Sequence, residues 1–457
     1  VTASRSAAEV AAPPGGSWQR LWAYLRLHVR YEVIAILFLV MTINQADRAT
    51  LSIAGVPMAG ELGLSKVELG WLLSSFAWAY MIFQVPGGWA IDRFGSIRTF
   101  GTAIFAWSIF AGLAAFVTVF GHGSAVPLIF ALIFLVGVAA APSFPSNSKI
   151  VAMWFPANER ATATAIFNSS QYFAAAVFTP LLAVIGAHLG WRAIFGFMGV
   201  IGVAAGLVFR RRVKTPRDTV QLTETELQHI REGGALVDRG PRPPAPAAGG
   251  HTQGYYLRKL LTNRMLLGIY IGQYGISTLT FFFLTWFPIY LVEARHVSLL
   301  QAGIMASVPA IFGLIGGLCG GAFSDMLLRR GASLSWARKL PLCLGMLLSS
   351  SIIVCNYVNS DGLILVFMAL AFFGKAMGAL GWAIVSDVSP PHQAGLNASI
   401  FNTFSSAAGI TTPIAIGYLV QHTHSFNAAL VFVGAHALLA IACFVFVVGP
   451  IRRVELD

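Results

Sequence analysis

The sequence predicts an all-α membrane protein of 12 transmembrane helices in two six-helix halves with both termini cytoplasmic, and three observations predict it. The first is composition: of 457 residues, 56% are hydrophobic and 11% charged. A soluble chain carries about 25% charged residues to keep its surface solvated, so this one needs the bilayer as its outer solvent. The second is the spacing of apolar runs of about 20 residues, the length that crosses a hydrocarbon core as a helix. The third is the side on which the basic residues fall.

Six apolar runs precede residue 211, at about 33–53, 68–91, 99–120, 126–148, 160–186 and 191–210. Six more lie at about 265–292, 299–325, 338–357, 362–387, 396–420 and 426–449. The expected organisation is a disordered cytoplasmic tail over 1–30, a first bundle over 31–210, a cytoplasmic linker over 211–264, a second bundle over 265–450 and a short tail over 451–457. The linker opens with Arg210-Arg211-Arg212, crosses a Pro/Ala/Gly stretch, and ends in an amphipathic YYLRKLLTNR run that reads as an interfacial helix.

Of the 30 Lys and Arg residues, 25 fall on the side of the termini and linker, 3 (Lys66, Arg192 and Arg295) on the other, and Arg48 and Lys375 within spans. That asymmetry predicts cytoplasmic termini. The net charge of +12 is then topology, and no nucleic-acid partner is called for. The 46 glycines and 34 phenylalanines suit close helix packing in a membrane. Cys319, Cys343, Cys355 and Cys443 sit in apolar runs without metal-ligand spacing, so no metal, cofactor or disulfide is expected.

The halves echo each other. Gly88, Asp92, Arg93, Gly95 and Arg98 follow span 2; Gly321, Asp325, Arg329 and Arg330 follow span 8. A Gly-x-x-x-Asp step at matched helix ends marks an internal repeat, the arrangement expected of an alternating-access carrier. Its carboxylate is expected to pair with basic residues or a helix N-terminus as part of a conformational motif.

Charges inside spans are the candidate chemistry, because each costs about 2.5–3.5 kcal/mol at a helix centre. Asp47 is the one carboxylate deep in a span, and a desolvated carboxylate can exchange a proton near neutral pH. Arg48 keeps its charge and presents a planar fork for a carboxylate. Neighbours in a helix point about 100° apart, so the two do not simply neutralise each other. Lys375 is the other intramembrane cation. Facing a cavity, it offers a second handle of the kind a dicarboxylate requires; the competing reading is snorkelling toward an interface. Tyr274 and Thr278, one turn apart in span 7, are added as substrate candidates, and His436 is read as a packed residue.

The repeated loop motif resembles that of the major facilitator superfamily. Further strings narrow the resemblance to its anion:cation symporter family, and to the sugar-acid permeases within it. They are Asn44-Gln-Ala-Asp47-Arg48, Phe76 to Tyr80, Gln84-Val-Pro86-Gly-Gly88, Ala141-Pro-Ser-Phe-Pro145, Trp154-Phe-Pro156, Leu284-Thr-Trp286-Phe-Pro288 and Phe401-Asn402. The resemblance implies a major facilitator fold and proton-coupled symport of a small organic anion, such as a galactonate-, glucarate- or hexuronate-like sugar acid, by a monomer in a bacterial inner membrane. It also implies that Tyr80, Gln171, Trp382 and Asn402 line the substrate site. The chain departs from the galactonate-type pattern in two places: Ala140 stands where a second acid is expected and Ile133 where an arginine is. Losing both leaves no unpaired charge, but it opens the proton stoichiometry. Ala379 and Gly381 replace small polar residues, implying a larger or less polar pocket. An aromatic acid or a dicarboxylate as substrate, and another coupling ion, stay open at this stage.

A channel or receptor fits the repeat and buried acid less well. An enzyme finds no His-Glu-x-x-His, nucleophile elbow or phosphate-binding loop to support it. Pro86, Pro142, Pro145 and Pro288 are hinge candidates, since membrane helices tolerate proline where freed backbone groups face protein or water.

Overall fold

The computed structural model describes residues 29–455, apart from 157–158, 220–221, 236, 238–252 and 391–392. The described residues form helices and no strand. Residues 1–28 of the expected tail lie outside the described residues, while Val29 and Arg30 already belong to the first helix.

Eleven helices among the described residues are long and apolar enough to cross a membrane. They are span 1 (Val29–Leu62), span 3 (Ser96–Val119), span 4 (Ser124–Trp154), span 5 (Thr162–Leu189), span 6 (Trp191–Arg212), span 7 (Arg264–Arg295), span 8 (Leu299–Arg329), span 9 (Leu334–Tyr357), span 10 (Asp361–Val388), span 11 (Ala394–Thr423) and span 12 (Asn427–Val447). Span 2 (Lys66–Phe94) is an unbroken helix of 29 residues. Its lower apolarity has a structural reason: it lies between the halves, where Gln84 finds a polar partner on span 11. Turns are as short as one residue. Gly95 (φ 86°) ends span 2 and Gly190 (φ 79°) ends span 5, both in backbone that a side chain would strain.

The two halves meet chiefly through span 2 on span 11 and span 5 on span 8. Adding six to each number maps one pair onto the other, which is the pseudo-two-fold relation the internal repeat predicted. The contacts concentrate at the ends away from the linker. A Cβ on Gly70 or Gly417 would sit 2.6 Å from the backbone oxygen of Pro413 or Lys66, so these glycines let spans 2 and 11 touch backbone to backbone. The Lys66 ammonium pairs with Glu293 at 2.5 Å, and the Val67 amide donates to Gln421 at 3.0 Å. Toward the linker, segments Ser143–Trp154 and Gly381–Val388 pack mainly within their own halves, and Trp382 is 53% exposed. The bundle is therefore closed at the end away from the linker and parted at the other.

The linker is more structured than its composition suggested. Thr223 caps a helix over Glu224–Glu232, and Glu226, 5% exposed, accepts from the amides of Val29 and Arg30 at 3.2 and 3.3 Å. A carboxylate there satisfies two free donors and complements the helix dipole of span 1. Arg160 donates to the Gly234 carbonyl at 2.6 Å, and Arg30 lies 3.6 Å from Glu159. The YYLRKLLTNR run lies largely in a helix, Gln253–Thr262. At the other end of the chain, the Val454 amide donates to the Val388 carbonyl at 2.9 Å, so the last described residues are tied to the second half.

Candidate substrate cavity

Span 1 carries a run of polar groups into the bundle. Buried atoms of Asn44 (Oδ1), Gln45 (Oε1), Asp47 (both carboxylate oxygens) and Arg48 (Nε and Nη2) have no hydrogen-bond partner among the described residues. Buried polar groups are ordinarily satisfied, and each left open costs about 1–3 kcal/mol, more when charged. A cluster of six such atoms on one helix marks a place where water, protons or a ligand complete the bonding. Arg48 is held by aromatic faces, its guanidinium carbon 4.7 Å from the Phe76 ring centre and 5.0 Å from that of Tyr80. Those contacts orient the fork and leave its Nε and Nη2 without a partner. Asp47 and Arg48 form no ion pair, as their helical phase implied.

The two residues serve two cavities. One, of about 130 Å³, is lined by Gln45, Arg48, Gln171, Tyr172, Phe372 and Lys375, with apolar walls from spans 7 and 8. Lys375 is 7% exposed, and its ammonium lies 5.1 Å from the Phe372 ring centre. It faces the interior and does not snorkel. Two basic side chains from opposite halves thus share one small cavity with two amides. The second cavity, of about 30 Å³, is lined by Asp47, Arg48, Thr50 and Thr285 among apolar side chains that include Ile133 and Val136. Ile133, at the position where the resemblance implied an arginine, gives Asp47 no counter-charge. Ala140 is fully buried.

Other candidates stand elsewhere. Asn402 gives its amide to Gln84 at 2.8 Å, across the halves. Tyr80 acts as a face for Arg48. In span 7 the Tyr274 hydroxyl bonds Thr411 at 2.7 Å and its ring packs against His436, 5.7 Å between centres. Thr278 is fully buried and donates to the Tyr274 carbonyl of its own helix. Trp382 also lies off the cavity, packed edge-on against Phe401 at 5.0 Å. The sequence reading missed Gln45, three residues before Arg48 and so on the same helix face, and it missed Tyr172 and Phe372.

The loop motif is asymmetric. In the first half Asp92 pairs with Lys149, Arg93 lies over the rings of Trp89 and Phe94, and Arg98 is exposed beside Gly95. No atom lies within 4 Å of a Cβ built on Gly88. In the second half Asp325 and Arg329 are exposed and in no ion pair among the described residues. Arg338 instead joins Asp387 at 2.8 Å and Ser324 at 2.9 Å. Beside Asp325, it is Ser324 and Asp387 that Arg338 holds.

A twelve-helix bundle of two related halves, closed at one end and holding buried charges at its middle, defines a secondary transporter. Residues 37–337 match the family model of the Major Facilitator Superfamily, and the chain belongs to that family as a multi-pass membrane protein. It is 50% identical over 431 residues to the probable galactarate/D-glucarate transporter GarP of Escherichia coli K12, covering 94% of this chain and 97% of that one. It is 51% identical to the probable galactarate/D-glucarate transporter GudP of Bacillus subtilis 168, covering 94% of each. A D-galactonate transporter of Escherichia coli O6:H1 is 37% identical, covering 93% of this chain and 97% of that one. Among solved structures, a D-xylose-proton symporter shares the fold at 16% identity, with a TM-score of 0.70 over 93% of this chain and 99% of that one.

Proposed function

We propose that this protein takes up a six-carbon sugar diacid, of the galactarate or D-glucarate kind, by alternating access coupled to protons. The observation that carries the reading is the cavity in which Arg48 and Lys375 meet. A diacid brings two carboxylates, and two basic side chains from opposite halves can hold one each, while Gln45 and Gln171 bond the hydroxyls between them. The relatives at 50 and 51% identity, named for such diacids, support it. A substrate bridging the halves is bound by both only when they close around it, which links occupancy to the conformational change.

Asp47 is the proposed proton carrier. An ionised carboxylate without a partner costs several kcal/mol in such a site, and a proton removes that cost. The protein works as a monomer in the bacterial inner membrane, its linker cytoplasmic as the 25-to-3 charge bias implies. The conformation then opens inward.

The test is ligand-dependent stability followed by transport. Purified protein is heated with galactarate, D-glucarate, D-galactonate and an aromatic acid, because a ligand that binds the folded state raises its melting temperature by mass action. Diacids should raise it most and should accumulate in proteoliposomes under an inward proton gradient. Stabilisation by the monoacid or the aromatic acid alone would reject the substrate assignment. A sodium requirement without proton movement would reject the coupling ion.

A further inference from the structure

The two cavities share three lining residues: Arg48, Phe281 and Leu284. Asp47 lines only the smaller one; Lys375, Gln45 and Gln171 line only the larger one. The wall between proton site and substrate site is therefore one guanidinium and two apolar side chains of span 7. The smaller cavity, at about 30 Å³, has room for one water. It also has polar partners for one, since both Asp47 oxygens are buried and open and Thr50 and Thr285 line it. The other sides come from spans 2, 3, 4 and 6 (Leu73, Phe76, Ala77, Ala111, Ile133, Val136 and Phe195), which add no titratable group; Arg48 is the one other charge there.

Span 7 changes pitch at this wall. The stretch Phe282–Trp286 is a π-helical turn, and Leu284 lies within it. Thr285 donates to the Phe281 carbonyl, and its own carbonyl accepts from Ser52 of span 1 at 2.6 Å. The wall is thus pinned to the helix that carries Asp47. Wide turns of this kind recur at functional sites.

We infer that the smaller cavity is an occluded one-water site that delivers protons to Asp47, and that Phe281 and Leu284 form the septum separating it from the substrate. This rests on the proton-coupled reading above. In the transfer, a hydronium ion gives one proton to an Asp47 oxygen and remains as neutral water; the O–H bond broken in one is formed in the other. While the septum is shut, substrate and proton cannot pass each other. Because Arg48 lines both cavities, protonation of Asp47 is felt by Arg48 and its bound carboxylate across the closed septum. An intact septum makes transport coupled, and a missing one makes it leak.

Two measurements test this. In the first, wild type, Phe281→Ala/Leu284→Ala and Leu318→Ala, a control on the exposed face of span 8, are reconstituted with an internal pH dye. The double variant should pass protons without substrate and lose galactarate accumulation while retaining galactarate exchange, and Leu318→Ala should behave as wild type. A double variant as proton-tight and as accumulating as wild type overturns the septum. So does a Leu318→Ala variant that leaks in the same way as the double variant, which would mean a merely structural role. The second measurement needs no proton coupling. Asp47→Cys, in a protein whose four native cysteines are changed to Ala, is titrated with silver ion. Slow reaction is expected with the septum intact and fast reaction with Phe281→Ala/Leu284→Ala added; equal rates overturn the proposal. If wild type moves no protons, the coupling reading fails by itself, and the silver rates still decide the septum.

Discussion

The side-chain amide of Asn402 donates to Gln84 at 2.8 Å, and this bond runs from span 11 in one half to span 2 in the other. Gln84 reaches on to Ser406 at 3.4 Å. The pair thus lies within the contact of spans 2 and 11 that joins the two halves. Asn402→Ala should leave galactarate affinity within about threefold of wild type, because one neutral hydrogen bond away from the ligand is removed. Exchange rates should change instead. Affinity from calorimetry and exchange in vesicles separate the two; a tenfold or greater loss of affinity would return Asn402 to the substrate's own contacts.

Arg48→Lys keeps the charge but removes the planar fork and most of the stacking on Phe76 and Tyr80. Uptake of every acid should fall by about tenfold or more, as at other sites built for two-pronged carboxylate binding. Near-normal uptake in proteoliposomes would remove Arg48 from the substrate site.

Lys375→Ala should separate diacids from monoacids. A galactarate ion loses the partner of one carboxylate, and affinity should drop by about 10-fold to 100-fold, the range for a hydrogen bond to a charged group. Galactonate, with one carboxylate left to Arg48, should change little. Equal losses for both, measured by competition binding, would make the lysine structural.

Asp47→Asn imitates the protonated carboxylate at all pH values. Accumulation driven by a pH gradient should disappear, while galactarate binding and exchange persist. Accumulation that survives in vesicles with an imposed gradient would take the coupling role away from Asp47.

What could be read from the sequence was whatever carries a visible cost there. Asp47, Arg48 and Lys375 stand out because a charge in an apolar run demands an interior place, and two of them do share a cavity. Direction around a helix was harder to read. Tyr274 and Thr278 lie one turn apart on one face, but only the packing of spans 11 and 12 determines that this face meets Thr411 and His436. Lys375 and Trp382 are two turns apart and would share a face in an unbroken helix. Span 10 breaks between Met377 and Gly381, and the phase is lost. The Gly-x-x-x-Asp repeat pointed to Asp325, yet a charge pair needs a partner in reach, and Arg338 reaches Ser324 and Asp387. The π-helical turn of span 7 has no compositional mark, so the division between the two cavities could be seen only in three dimensions.

Glu226 fastens the linker to the start of span 1, with Arg160 holding Gly234 a few residues on. The first half as a folding unit therefore extends past its sixth membrane helix and includes about 25 residues of what composition alone would discard as connector. That bears on where the gene can be cut. If the two halves are expressed as separate polypeptides, a break between residues 238 and 252 leaves the first one with the acid that closes its own N-terminal helix. A break after residue 212 hands that acid to the wrong partner. Co-expressed fragments of the first kind should assemble and restore galactarate uptake in cells, and fragments of the second kind should be degraded or restore much less. A helix cap of this sort contributes about 1 kcal/mol, enough to alter the survival of a half-protein waiting for its mate.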